Sequence, residues 1–506
     1  MNLSDLEFLP ASILNSPLLT TLIDQEIITN QDILFAYSLL KDHPHQSSSF
    51  FFLVYLSVLH RNGHSCLSLE ETDDQSIGSL LGEKQIKRGV QDLPEIIKKQ
   101  HLYISYPFVF LKKIYELEKQ TLNNIKTIIQ LSPEPHINNH SLPDYLTDEQ
   151  KHVIDSVLRN SISFIYGGPG TGKTFVVIEI ITQFLEEHPS AKIIVACPTG
   201  KSTSNIKQLL TNRQSVTNAD ILVRTIHSLI TPDKNKLLLN ADLIIIDEAS
   251  MISLDLINLL LNYIPNKKRL ILTGDPNQLS PIGVGNIFFD LIKLFPQLSY
   301  RLNINQRTSC SLIQALAYKI LIRETIETLP LPNQKIFLEK VFTKFRESEP
   351  GTFCVLTPLK QGYWGTEFLN KKLYELFSQK IPSGFPIPII ITENLPNLDI
   401  YNGDTGILCI KDNSIRIGKR LFSSQLLEDK FSLNYVTSVH KSQGSEYENV
   451  LLILPQGSEN FSSDLIYTGI TRAKKTIEIW SHSSMIDLMI KKEPRKKSGF
   501  SYKIHG

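Results

Sequence analysis

One eight-residue segment does most to restrict how this chain can fold. Gly167-Gly168-Pro169-Gly170-Thr171-Gly172-Lys173-Thr174 follows the short apolar run Ser163–Tyr166 and leads into the helix-spaced run Phe175–Phe184. The glycines let backbone N–H groups turn inward, and the N-terminus of the following helix adds a favourable dipole. Strand, turn and helix in that order form a phosphate cradle, whereas a chance glycine-rich turn would lack the flanks. A strand feeding a helix in this way belongs to a parallel α/β sheet.

The rest of the chain agrees after Asp144, where short apolar strands alternate with helical segments. Strands are expected at Ser163–Tyr166, Lys192–Cys197, Leu243–Ile246 and Arg269–Thr273, and again at Thr352–Thr357, Asn434–Ser438, Val450–Ile453 and Thr476–Trp480. Two α/β lobes are therefore expected, at 145–325 and 350–485, joined by a connector over 326–349. Short strands and turns over 389–431 suggest a small β insertion in the second lobe. Residues 1–128 read as helical, with apolar spacing in Ile33–Leu40, Phe50–Leu59 and Phe108–Ile125. A polar, proline-containing linker is expected over 129–144, and a basic tail over 486–506, exposed at Lys491–Lys497. The 506 residues suit this multi-domain reading. Lys and Arg total 52 against 51 Asp and Glu, so a nucleic-acid partner would need a local groove, not a charged surface. Five scattered cysteines without a CxxC pair fit a reducing cytoplasm. The start has no signal-peptide pattern and no apolar run reaches membrane-spanning length, so a cytoplasmic protein without membrane contact is expected.

The chemistry sits at strand ends. Lys173 suits the β/γ-phosphates of a nucleotide and Thr174 suits Mg²⁺, so ATP and Mg²⁺ are the expected cofactors. Leu243-Ile244-Ile245-Ile246-Asp247-Glu248 is a buried strand ending in two acids. Asp247 fits a Mg²⁺ ligand and Glu248 a water-orienting base. An acid pair alone would as readily be a solvated turn; the intact phosphate loop upstream decides for function. Ile271–Leu279 is another strand running into a polar turn, where Gln278 is placed to sense the γ-phosphate. His60, His64 and Cys66 hint at zinc, but a structural site needs four ligands at defined spacing, so helix packing is the better reading.

The phosphate loop, Asp247-Glu248-Ala249-Ser250 and Gly274-Asp275-Pro276-Asn277-Gln278-Leu279 stand in the order that resembles superfamily 1 helicases. Thr147-Asp148-Glu149-Gln150 resembles the segment whose Gln reads adenine. Cys197-Pro198-Thr199-Gly200-Lys201 and Thr225-Ile226-His227 resemble first-lobe DNA-contacting motifs, and Gln306-Arg307 the motif carrying a first arginine. Val439-His440-Lys441-Ser442-Gln443-Gly444-Ser445-Glu446 resembles the 5′→3′ branch, and Tyr467–Lys474 the last motif with its arginine, Arg472. Gly63-His64-Ser65-Cys66-Leu67, Leu359–Gly365, Asn402–Gly406 and Arg495–Phe500 narrow the similarity to the RecD family.

The resemblance implies an α/β fold with two RecA-like P-loop lobes, a small β-barrel insertion and a helical N-terminal domain that docks partners. It implies an ATP-dependent 5′→3′ DNA helicase acting on single strands and duplex ends, within a heterotrimer with RecB- and RecC-type subunits that supply the nuclease. By the same carry-over, Lys173, Asp247, Glu248, Gln278, Arg307 and Arg472 are catalytic. ATP would meet Gln150, Gly167, Gly168, Pro169, Gly170, Thr171, Gly172, Lys173, Thr174, Gly444 and Glu446. DNA would meet Pro198, Thr199, Thr225, His227, His440 and Lys441. Two other readings stand beside this one. The first is a free-standing RecD-like or conjugative helicase, a group that usually carries longer N-terminal regions. The second is a catalytically idle assembly module, which the intact motor residues oppose.

Overall fold

The computed structural model describes residues 6–43, 46–70, 77–130, 142–211, 213, 219–231, 235–264, 268–303, 311–381, 384–398, 400–482, 484–492, 496–500 and 502. Arg307 and most of the expected linker lie outside them. Helices α1 (Asn30–Leu40) and α2 (Ser47–Arg61) pack together early in the chain. Phe50 to Leu56 is buried all round α2, so this helix is the centre of its own core, not a one-sided surface helix. A three-stranded antiparallel sheet follows, from β1 (Cys66–Ser68), β2 (Leu102–Ser105) and β3 (Phe108–Leu111), in the order β1-β3-β2. Phe108–Leu111 therefore departs from the helical expectation. Phe-Val-Phe-Leu is a continuous apolar run of residues that favour strands, and two neighbouring strands take up its backbone groups.

The amphipathic helix α3 (Lys112–Gln130) comes next. Its Ile114, Leu122, Ile125 and Ile128 are buried in the core of the following α/β lobe, and its Thr121 Oγ1 donates to Asn258 Oδ1 at 3.1 Å. The helix before the expected linker thus packs onto the lobe behind it.

That lobe holds β4 (Ile162–Gly167), β5 (Lys192–Cys197), β6 (Asp220–Thr225), β7 (Leu243–Ile246), β8 (Arg269–Gly274) and β9 (Ser299–Leu302). All six pair in parallel, in the order β6-β5-β7-β8-β4-β9. The central strands are buried on both faces, as continuous Ile/Leu/Val runs require. Helices α4 (Asp148–Arg159), α5 (Lys173–Glu187), α6 (Gly200–Thr211) and α7 (Leu254–Leu261) belong to this lobe.

The second parallel sheet orders β10 (Leu329–Pro330), β19 (Ala473–Ser481), β18 (Tyr447–Leu454), β11 (Phe353–Thr357) and β17 (Val436–Ser438) side by side. Between β11 and β17 the chain makes an antiparallel insertion of β12 (Pro386–Ile391), β13 (Thr405–Cys409), β14 (Ser414–Ile417), β15 (Arg420–Ser423) and β16 (Phe431–Leu433). Its order β15-β14-β13-β12-β16 is linear, with no pairing between the two edge strands among the described residues. Helix α8 (Ser463–Ile470) leads to Arg472. No helix among the described residues is long and apolar enough to cross a membrane.

Among the described residues of the tail, Lys491 is exposed and Lys492, Lys496 and Lys497 are half-buried, but the residues after them turn inward. Ser498 is fully buried and Phe500 lies in the first lobe's core. Ser498 Oγ donates to Asp290 Oδ2 at 2.7 Å, and Gly499 N to Glu118 Oε1 at 3.2 Å. Basic composition misled because backbone and small polar groups, not the charges, make most of these contacts.

Candidate nucleotide site and nucleic-acid groove

Parallel pairing brings the C-terminal ends of all six first-lobe strands to one edge, the edge where open α/β sheets bind ligands. Gly167, Cys197, Thr225, Ile246, Gly274 and Leu302 end those strands, so the motif residues that follow them share one rim. Gly170 and Gly172 have φ of +79° and +84°, which glycine adopts without a Cβ penalty. Thr171 Oγ1 donates to Gly168 O at 2.9 Å. Lys173 Nζ folds back to donate to the carbonyls of Gly167 and Gly168 at 2.7 and 3.0 Å, so the ammonium lies within the turn. A cavity of about 630 Å³ opens here, with Gly168, Pro169 and Thr171 on one wall and Tyr467, Thr471 and Lys474 of the second lobe on the other.

At the end of β7, Asp247 is buried and accepts a short hydrogen bond from the Thr273 hydroxyl on β8. Burial raises the pKa values of Asp247 and Glu248, and the adjoining Asp247 carboxylate raises Glu248 further. The charges of Lys173 and Arg472 reach Glu248 and act in the opposite sense. Glu248 adopts a left-handed backbone with φ of +54°. For a residue with a side chain that costs roughly 1–3 kcal/mol, a strain typical of functional sites.

Arg472 is buried at the far wall. Its Nε donates to Thr468 O at 3.0 Å and its Nη1 to Ser445 O at 3.3 Å, which fixes the guanidinium from two sides. Asp275, fully buried, accepts from Tyr467 Oη at 2.9 Å, and Gln278 Nε2 lies 3.5 Å from the same carboxylate oxygen. A Cβ placed on Gly168 would stand 3.4 Å from Tyr467 Oη, so that hydroxyl also lies against the phosphate loop. Thr468 Oγ1 accepts from Leu279 N at 2.9 Å, and Gln443 Nε2 donates to Leu279 O at 3.3 Å.

A second concavity, of about 460 Å³, lies on the same rim. Pro198, His227, His440 and Lys441 line it together with Pro281 and Ile282. Thr199 Oγ1 accepts from Ser202 N at 3.2 Å and so caps α6, while Thr225 ends β6. Gly444 faces Thr199 and Ser202 across the lobes, and Glu446 pairs with Lys474 at 3.3 Å. Gln150 is buried at the start of α4, where its carboxamide oxygen accepts from Thr147 N at 3.2 Å. Thr147-x-x-Gln150 thus forms a helix capping box, and Gln150 is not among the residues lining the cavity.

The structure therefore brings Asp247, Lys173 and Arg472 within electrostatic reach of Glu248 and sets Gln278 beside Asp275, behind the cavity wall and not on its lining, and it brings Pro198, His227, His440 and Lys441 to one groove. Sequence reasoning assigned no role to Tyr467, Thr468 or Lys201. Lys201 Nζ donates to Ser445 Oγ at 2.9 Å across the lobes, and burial lowers its pKa. All three lie inside quoted motifs, yet their partners are more than 180 residues away in the chain, so no local spacing marks them.

Comparison with known proteins finds similarity to the same kind of helicase. A model of the AAA domain matches residues 150–284, and one of the UvrD-like helicase C-terminal domain matches residues 433–477. The RecBCD enzyme subunit RecD of Buchnera aphidicola subsp. Schizaphis graminum is 27% identical over 92% of this chain and 98% of that protein. Its counterpart from Buchnera aphidicola subsp. Acyrthosiphon pisum is 29% identical over 79% of this chain and 83% of that protein. The ATP-dependent RecD2 DNA helicase of Deinococcus radiodurans is 27% identical over 72% of this chain and 54% of that protein. With the order of motifs and the two facing lobes, these matches make the chain similar to RecD-type helicases of superfamily 1.

Proposed function

We propose that the chain is an ATP-dependent helicase that moves 5′→3′ along single-stranded DNA. In this reading it is the motor subunit of a RecBCD-type exodeoxyribonuclease V, held with RecB- and RecC-type subunits and acting in double-strand break repair and recombination. The observation that carries the motor reading is the link between the cleft and the groove. The turn after β8 sets Pro276 and Asn277 on the cleft wall, Asp275 against Tyr467, Leu279 at the lobe contact, and Pro281 and Ile282 at the groove. A change at the phosphate end of that turn is therefore felt at the groove, which is what turns hydrolysis into movement.

In this reading the two sheets are RecA-like lobes and the antiparallel insertion is the small barrel. Lys173 and the loop N–H groups of Gly167–Thr174 hold the phosphates. Thr174 and Asp247 offer a hydroxyl and a carboxylate, oxygen donors suited to Mg²⁺, which when bound neutralises phosphate charge. Glu248, held in a site that raises its pKa, orients the attacking water and takes its proton. Gln278 senses the γ-phosphate, and Arg472 with Arg307 stabilises the charge of the transferring group. Gln150 would need to give up its capping bond to reach adenine. Pro198, Thr199, Thr225, His227, His440 and Lys441 meet the DNA strand through backbone-directed and stacking contacts. Residues before α3 dock the partner subunits.

The test is ATPase of the purified chain with and without single-stranded DNA, for wild type and Lys173→Gln. DNA-stimulated turnover lost in a folded Lys173→Gln variant is expected; normal turnover there would sink the assignment. Co-purification with RecB- and RecC-type chains at equal stoichiometry is expected from the native host. Isolation of the chain alone would favour a free-standing helicase.

A further inference from the structure

Three segments far apart in sequence meet beneath the loop that follows Leu279. Lys496 Nζ donates to the backbone carbonyls of Pro281 and Gly283, the latter at 2.8 Å. Gly63, with φ of +88°, lies against this clamp: a Cβ there would fall 2.6 Å from Gly283 O and from Lys496 Nζ. Gly285 N donates to Gly63 O at 2.8 Å, Ser65 N to Lys497 O at 2.9 Å, and Lys497 N to His64 Nδ1 at 2.9 Å. Beneath them Glu118, fully buried on α3, accepts from Ser65 Oγ and Gly499 N. The junction is thus anchored in two cores while its top carries the loop.

Ile282 stands between the two clamped carbonyls and is 87% exposed. Bonds to the carbonyls on either side fix the backbone that carries this side chain and so limit where it can stand. Lys496 supplies that restraint, and burial pushes its ammonium down to about 8. Ile282 projects at the groove lined by Pro198, His227 and His440.

We infer that Lys496 is a positioning residue for nucleic-acid binding: it clamps the 281–283 backbone so that Ile282 stands in the groove as an apolar contact for the bases of a single strand. The inference rests on the reading of the groove as the DNA site. Base contacts of this kind are sequence-tolerant, in keeping with a motor. The N-terminal turn at Gly63 and the C-terminal segment thereby support the strand contact directly.

The test measures binding of a fluorescent oligothymidylate to the full chain, with the KM for ATP and the melting temperature of each variant. Lys496→Met and Ile282→Ser should each weaken binding by about tenfold, the scale of one lost base contact, with little change in KM for ATP. Lys496→Arg, which keeps the cation, should recover most of the affinity. Ile282→Ser removes an exposed side chain, so it decides the matter should Lys496→Met fail to fold. If His440→Ala weakens binding while Lys496→Met and Ile282→Ser bind as wild type, the inference is overturned and the groove reading stands. If none of the three weakens binding, or wild type does not bind, the groove reading falls first.

Discussion

Removing one oxygen atom tests how the lobes are coupled. Tyr467→Phe deletes the donor to Asp275 Oδ2 at 2.9 Å and leaves the ring in place. Donor and acceptor are both buried, Tyr467 at 2% exposure and Asp275 at 0%, so water cannot replace the lost bond. A hydrogen bond to a charged group contributes roughly 1.5–3 kcal/mol, or about 10–150-fold in an equilibrium or rate. The hydroxyl also lies against Gly168, so the bond connects the phosphate loop, the Asp275–Gln278 turn and α8 at one point. Its loss should fall on turnover, where the lobes must close correctly, more than on ATP affinity. The expected result is a kcat of DNA-stimulated hydrolysis lower by about 10–100-fold, with KM for ATP changed by less than about threefold. Steady-state ATPase at saturating oligothymidylate gives both numbers. Gln278→Ala in the same background should be strongly non-additive, since both side chains address one carboxylate. A folded Tyr467→Phe enzyme with wild-type kcat, or one impaired only in ATP affinity, would refute the coupling.

Arg472→Ala should lose turnover by a factor on the order of 10³ or more while keeping affinity for an ATP analogue; lost affinity with normal turnover per bound nucleotide would remove its assigned role. A chain starting at Asp144 lacks α3 and exposes the lobe surface that Ile114, Leu122, Ile125 and Ile128 cover, a loss on the order of several kcal/mol. It should melt lower than the full chain in calorimetry, and an unchanged melting temperature would show that α3 is not part of the lobe's core. Lys496 titrates near 8 in the folded chain, below the ordinary lysine value. The unfolded chain therefore holds more protons between those two values, and this group's burial penalty, present at neutral pH, is relieved as pH rises through about 8. The clamp loses its cation in that same window. Asp464 faces Lys496, and the facing His440, its own pKa lowered by burial, is already neutral above pH 7. DNA affinity of wild type should therefore weaken between pH 7 and 9 more than that of Lys496→Arg, and parallel curves in fluorescence titration would contradict this.

The motor strands could be read along the chain because each motif follows its own apolar run. Ile162–Gly167 and Leu243–Ile246 carry the phosphate loop and the acid pair at their ends, and local patterning is enough to place both. Contacts between lobes have no such pattern. Tyr467 meets Asp275 across 192 residues, and Lys201 meets Ser445 across 244, so only the fold reveals them. Spacing offers two meanings at Thr147-x-x-Gln150, a capping box and an adenine reader, and the structure displays the first. The C-terminal segment misled because a lysine-rich stretch reads as solvated, whereas Lys496 satisfies its ammonium on backbone carbonyls. Phe108–Leu111 misled because four consecutive apolar residues have no period of their own.

Direction is the property that ties nucleotide chemistry to movement, and strand displacement measures it directly. Partial duplexes carrying either a 5′ or a 3′ single-stranded tail would be given to the purified protein with ATP and Mg²⁺, alongside Lys173→Gln. The account predicts displacement from the 5′-tailed duplex only, and none with Lys173→Gln. Displacement from the 3′-tailed duplex alone would contradict the 5′→3′ motor, and displacement by Lys173→Gln would contradict the ATP-driven mechanism itself.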